Sequence, residues 1–359
     1  MKTKFTAIII GFVIVIAALL QMGDEVTNTL PSAHLFSLQS GEEVEPGTTL
    51  AFPKDHGIHP KQGIEWWYVT ANLESTTGEK LGVQWTLFRV SMPEVSSETS
   101  SPWWDGQFYF AHFAVQTDTQ HMAFEKSGRV SDVTINAFPF EARLKNWSLE
   151  SVDESFLPLS LTASQKGYRV ALQLDNSPRV LHGKQGYSQK TQDGHASMYY
   201  SYPFLDVTGE VEFDSQLHTV KGRAWLDREW SSAFIDPSQA GWDWFSLQAD
   251  NPADGGLMAF CIRSSSRRYE YCSATKIDEN GQAQAFNNDQ VSLEVLEHTQ
   301  LGDVTYPTRW QLRVEGIEPV EIQSINPDSR NKLSIPYWEG RVKSRGGFSG
   351  AGYGELVGY

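Results

Sequence analysis

The stretch Gly63-Ile-Glu-Trp-Trp-Tyr-Val-Thr-Ala-Asn72 recurs without a gap as Gly241-Trp-Asp-Trp-Phe-Ser-Leu-Gln-Ala-Asp250. The segment after it follows suit, with Gly82-Val-Gln-Trp-Thr-Leu-Phe-Arg89 against Gly256-Leu-Met-Ala-Phe-Cys-Ile-Arg263. Toward the end of each half, Tyr202-Pro203 and Gly209 parallel Ile335-Pro336 and Gly340. Then Gly222-Arg-Ala-Trp225-Leu-Asp227 parallels Gly350-Ala-Gly-Tyr353-Gly-Glu355. A period near half the chain is that of a duplicated domain, because solenoid repeats are far shorter. Whatever this chain folds into, it does so twice.

The repeating unit is built of strands. Trp66-Trp-Tyr-Val-Thr-Ala-Asn-Leu73, Phe108-Tyr-Phe-Ala-His-Phe-Ala-Val115 and Tyr168-Arg-Val-Ala-Leu-Gln-Leu174 alternate or run apolar, and are split by turn residues such as Asp175-Asn-Ser-Pro178. No stretch of the body keeps a long 3.6-residue period. The fold class is therefore all-β, each copy being an antiparallel sheet that removes its edges by closing into a barrel. The first copy spans 51–235 and carries insertions; the second spans 236–359 and is trimmed. Residues 24–50 are polar and aperiodic, a linker.

Residues 1–23 read differently. Lys2 and Lys4 precede an apolar run from Phe5 to Leu20, the pattern of an export signal. No A-x-A cleavage site follows, and the run is just long enough to span a bilayer, so a cleaved signal peptide and a retained anchor both stand. Either way the lysines stay inside and the body is expected outside the cytoplasm, periplasmic or held at the outer face of the cytoplasmic membrane. The net charge of −15, without a basic block, argues against nucleic acid, which needs clustered Lys and Arg. Cys261 and Cys272 bracket a turn-like run and would lie opposite each other on a hairpin, either as a disulfide or as a packed reduced pair.

Chemistry concentrates in Gly222-Arg-Ala-Trp-Leu-Asp-Arg-Glu-Trp230, where two Trp, two carboxylates and two Arg share nine residues. Asp227 is the candidate acid. Trp225 lies two residues before it and so shares its strand face. The competing reading pairs Asp227 with Arg228 or Arg89, and Arg228 would hold the carboxyl low. Glu355 at the echo of Asp227 suggests that the carboxylate partly serves the fold, pairing with an Arg inside the barrel. Glu65, matched to Asp243, reads as structural for the same reason. Asp55-His56-x-x-His59 with Glu65 and His112 offers metal-ligating side chains, but on an irregular segment with no fixed third ligand, so a hydrogen-bonded role over a barrel mouth is preferred and no metal is expected. There is no G-x-S-x-G elbow, phosphate loop or dinucleotide fingerprint.

These segments together resemble the two-domain lipocalin-like family that includes carotenoid 1,2-hydratases and AttH-type exported proteins. The carriers are Phe52-Pro-Lys-Asp-His-Gly-Ile-His-Pro60, Glu65-Trp-Trp-Tyr68, His112-Phe-Ala-Val-Gln-Thr117, Gly222–Trp230, Gly241–Phe245, Pro336-Tyr-Trp-Glu-Gly340 and Gly352-Tyr-Gly-Glu-Leu-Val-Gly-Tyr359. The resemblance implies two lipocalin-like β-barrels and cofactor-free hydration of a terminal alkene on an acyclic carotenoid. Asp227 would be the acid, with Trp225, Tyr200, Trp66, Trp67, His112 and Trp230 lining the substrate site. Burial would keep the acid protonated, and Trp and Tyr faces would steady the cation. The other function that fits is a non-catalytic carrier of a lipid or other hydrophobic small molecule, working with an ABC-type membrane transporter.

Overall fold

In the computed structural model the described residues are 41–92, 106–192, 194–233 and 239–359; the expected signal or anchor lies outside them. Strands dominate and form two antiparallel sheets, of thirteen and ten strands. The first runs from Ile64–Ser75 to Gln216–Ser231 and the second from Gln239–Ala249 to Gly350–Val357. Each sheet curls until distant strands meet. Phe140–Leu144 packs on the Lys80–Ser91, Gln107–Gln116 and His121–Gly128 strands in the first, and Tyr269–Ile277 on Val291–Leu301 in the second. The result is the two-domain lipocalin-like fold that the family resemblance implies, all-β and doubled as the strand pattern and the repeat predict.

Three cores result. One fills the first barrel around Trp67, Trp85, Trp147 and Leu226, and another fills the second around Phe245, Trp310 and Trp338. The third lies between the barrels and takes Trp66, Tyr68, Phe88, Tyr199, Trp225, Trp242, Trp244 and Tyr353. This third core explains why Ile64–Ser75 reads as a nearly continuous apolar run. Its first eight residues are buried on both faces, as in sheets covered on both sides, so neither face needs to be polar.

The ladders correct the repeat's register. Asn72 pairs with Gly82 and Gln248 with Gly256, while Asp227 pairs with Tyr68 and Glu355 with Trp244. The counterpart of Trp66 is therefore Trp242, and Trp244 answers to Tyr68, two residues from the gapless match. A slip of two keeps every side chain on its face, which is why the sequence fits both registers. Tyr202 pairs with Leu226 and Gly340 with Gly354. Tyr202-Pro203 thus does not fall on Ile335-Pro336; the first copy has a bulge there, between Tyr202 and Leu205. The match of Gly222 with Gly350 agrees with the ladders. A methyl at either would lie 2.1 Å from a partner-strand carbonyl oxygen, that of Asn72 or of Gln248, so only glycine fits this close approach.

Cys261 and Cys272 are directly opposed on adjacent strands and form a disulfide. It closes a short loop of sequence separation 11. Replacing both by Ala is expected to cost about 2–3 kcal/mol in a urea melt, the scale for so short a loop. Treating the wild type with reductant should reproduce the loss.

Candidate functional site

Strand alternation sorts the residues of Gly222–Trp230 onto two faces. Asp227 and Trp225 point outward, into the core between the barrels; Arg228, Leu226 and Trp230 belong to the first barrel's interior. Arg228 stacks on Trp67 with its guanidinium 3.8 Å from the ring centroid, and it binds Glu65 at 2.5 Å. It therefore does not pair with Asp227. Arg89 binds Glu65 as well, so neither arginine of the competing reading reaches Asp227.

Asp227 is 2 % exposed, and its two oxygens differ. Oδ1 accepts from Tyr199 Oη at 2.7 Å, from Trp225 Nε1 at 2.8 Å and from Ser201 Oγ. Oδ2 is buried with no hydrogen-bond partner. Burial pushes the carboxyl up to about 7 against the pull of the Ser201, Tyr199 and Trp225 hydrogen bonds, and the charge of Glu229 adds to the rise. Three donors on one oxygen and none on the other leave Oδ2 as the place for a proton near neutrality.

Asp227 lines a small cavity with Trp66, Tyr68, Thr86, Phe88 and Tyr199 of the first copy and Trp242, Trp244 and Glu355 of the second. Its volume of about 30 Å³ is room for about two waters. Glu355 binds no arginine, and the expectation that it does is corrected here. Its Oε1 accepts from Trp242 Nε1 at 2.6 Å. Burial raises it to about 7 against that bond, with the charges of Asp227 and Glu229 adding. Its neighbour Glu339 takes the Tyr68 hydroxyl and is held well above the ordinary range, first by burial and then by Glu355. Duplication thus sets equivalent carboxylates facing one box of aromatic rings, and carboxyls so close titrate as a coupled set.

The predicted site residues divide. Trp66 lines the cavity with Asp227, and Trp225 meets Asp227 through its Nε1–H without lining it. His112 lies on the same face beside Phe88, its Nδ1 3.0 Å from Tyr337 Oη and its Nε2 3.0 Å from Glu125. Trp67, Tyr200 and Trp230 point into the first barrel instead. Tyr200 is held by His56 Nδ1 at 2.8 Å, and Trp230 stacks on His59 at 3.7 Å. Trp66 and Trp67 are sequence neighbours, so they cannot share a strand face. His59 bridges Asp55 and Glu65 while His56 turns away to Tyr200. Among the described residues no cluster of His, Cys, Asp and Glu is arranged to hold a metal ion. Sequence reasoning missed Tyr199, Ser201, Trp242 and Trp244, although alternation puts Tyr199 on the face of Ser201, which pairs with Asp227, and the repeat marks both tryptophans.

The AttH-like family profile matches residues 43–359. The crystal structure of an AttH candidate from Nitrosomonas europaea is 32% identical, covers 89% of this chain and 99% of its own, and superposes with a TM-score of 0.78. Kievitone hydratase from Nectria haematococca shares the fold at 15% identity, covering 88% of this chain and 97% of its own with a TM-score of 0.65. CghA with Sch210972 does so at 11%, over 90% and 96%, with a TM-score of 0.54. A search of curated proteins returned no match.

Proposed function

The chain belongs to the AttH-like family, and from that premise we propose that it hydrates the alkene of a long isoprenoid by acid catalysis. The observation that carries this reading is the bare, buried Oδ2 of Asp227 in one box with Glu355. Protonated at Oδ2, Asp227 gives its proton to the less substituted alkene carbon. The tertiary cation is steadied by the Trp66 and Trp244 rings that line the box. Glu355, ionised, takes a proton from the water that adds, and a tertiary alcohol leaves. One carboxyl must be protonated and the other ionised, so the rate should peak near neutrality and fall on both sides. The box has room for about two waters but not for an alkene, so the reactive end enters as a lining ring turns aside.

Incubating purified protein with lycopene or neurosporene, followed by product mass measurement, tests the proposal. A gain of one water is expected, and Glu355→Gln should cut its rate by about a hundred-fold or more. No turnover, with lipid tightly retained by wild type and variant alike, would instead support a carrier. The carrier reading has less behind it, because the first barrel is filled by Trp67, Trp85, Trp147 and Tyr200.

The same proposal puts the body outside the cytoplasm. The Lys-flanked apolar run at the N-terminus and the Cys261–Cys272 disulfide support it, since disulfides persist in oxidising compartments. Recovery of the protein in the soluble cytosolic fraction of its host would refute it. A transporter partner has no structural support beyond the family resemblance.

A further inference from the structure

His182 is a wholly buried imidazole that the chemistry above leaves unused. It follows the short Val180–Leu181 strand and stacks on Tyr199, ring centroids 4.0 Å apart. Its nitrogens reach hydroxyls on different sheets: Nε2 lies 2.7 Å from Ser201 Oγ, and Nδ1 3.0 Å from Thr275 Oγ1. Ser201 in turn donates to Asp227 Oδ1. Proton counting sets the direction of every bond. Ser201 gives its one proton to the carboxyl, so it accepts from His182 Nε2–H. The ring is neutral, because burial and then the charge of Lys190 push it down to about 3, so Nδ1 accepts from Thr275. Thr275 lines an open groove of about 650 Å³ between the copies, with Tyr187, Met258 and Tyr271. Ser201, His182 and Thr275 are each at most 1 % exposed, and every donor in the line points from the groove toward Asp227.

Such a line answers a need of the reaction. Each hydration takes a proton from Asp227 and leaves one on Glu355, so the acid must be refilled before the next substrate reacts. We propose that Thr275, His182 and Ser201 form a proton relay from the groove to Asp227, which restores the acid after each turnover; this rests on Asp227 being the acid. A hydronium or buffer acid in the groove protonates Thr275 Oγ1 as the Thr275 proton passes to His182 Nδ1. The Nε2 proton passes to Ser201, and the Ser201 proton to Asp227 Oδ1. A half-turn of the carboxyl about its Cβ–Cγ bond then carries the protonated oxygen to the bare side, where Oδ2 stood, and brings the other oxygen under the three donors. Each relay group loses one proton and gains one, His182 changing tautomer from Nε2–H to Nδ1–H, and only the carboxylate has a net gain. The ring and hydroxyls then rotate back. The charged and titratable groups around this path are Lys190 and Tyr199 at the imidazole, and Glu229, Glu355 and Tyr199 at the carboxyl.

The relay can be tested without substrate. A pH jump from above to below neutrality is followed by time-resolved infrared, watching the protonated carboxyl band that Asp227→Asn removes. In His182→Gln, Ser201→Ala and the isosteric Thr275→Val the band is expected to grow roughly tenfold or more slowly. Its final amplitude in Thr275→Val, which leaves the carboxyl's own donors in place, should equal that of wild type. A merely structural role would alter amplitude or midpoint, not the rate at equal amplitude. An unchanged rate in Thr275→Val and His182→Gln overturns the relay while leaving hydration by Asp227 to the product-mass experiment. Absence of any Asp227-dependent band in wild type overturns the relay together with its premise.

Discussion

Asp227→Asn is expected to lower turnover of an isoprenoid alkene by about a hundred- to ten-thousand-fold, the span a positioned general acid supplies. The amide keeps the size of the side chain and a carbonyl oxygen for the Tyr199, Ser201 and Trp225 donors, but it has no acidic proton for the box. Stability should move the other way. Asp227 titrates near 7 in the fold against an ordinary 3.8. Between those values the folded protein holds a proton that the unfolded chain releases. The group's contribution is therefore whole below the lower value and lost as pH rises through the higher. Asparagine does not suffer that loss, so urea melts should find the variant more stable than wild type above about pH 8 and equal to it below about pH 4. Undiminished turnover by the variant would move the acid to another carboxyl, with Glu355 first in line.

Glu65→Gln should behave in the opposite way, although Glu65 and Asp227 sit on adjoining strands. Glu65 is fully buried and serves the Arg89 and Arg228 guanidiniums together with the His59 main-chain N–H at 2.9 Å. Losing its charge strands two buried cations, a change expected to cost about 3–5 kcal/mol in a urea melt. Burial pushes this carboxyl up, but the Arg228 charge, the His59 hydrogen bond and Arg89 outweigh it and hold the group well below its usual 4.5. Its stabilisation is thus present above that value and disappears as pH falls below it. Wild type should lose stability on acidification through this window more steeply than Glu65→Gln. At temperatures where the variant stays folded it should still turn over substrate, because Glu65 faces the barrel and not the box. An equal pH dependence in the two proteins would show that the arginines do not govern this carboxyl.

The all-β class, the doubled architecture and the match of Gly222 with Gly350 are legible in the residues themselves, because period-two patterning and a half-chain repeat are local properties. What covers a face is not local. Alternation places Trp66 and Trp67 on opposite sides of one strand, but it cannot say that one side meets a barrel interior and the other a second barrel. The reading that grouped Trp66, Trp67, Tyr200 and Trp230 around one ligand lacked that distinction. Glu355 was visible as an echo, yet its partner is a tryptophan from the neighbouring strand, Trp242, and the cavity it faces exists only once both copies are folded. His182 carries no motif. It becomes notable only when hydroxyls from two sheets, Ser201 and Thr275, arrive at its two nitrogens.

The cavity's walls come from two related halves that are not alike. In a pair of identical chains meeting about a true two-fold axis, both walls would offer the same carboxyl on the same length of side chain, and neither could be assigned donor or acceptor in advance. Here one wall carries the shorter Asp227 under three hydrogen bonds, and the other the longer Glu355 under one from Trp242. Joining both halves in a single polypeptide makes that inequality heritable. It gives the box a polarity, which in the proposed hydration fixes the side from which water approaches.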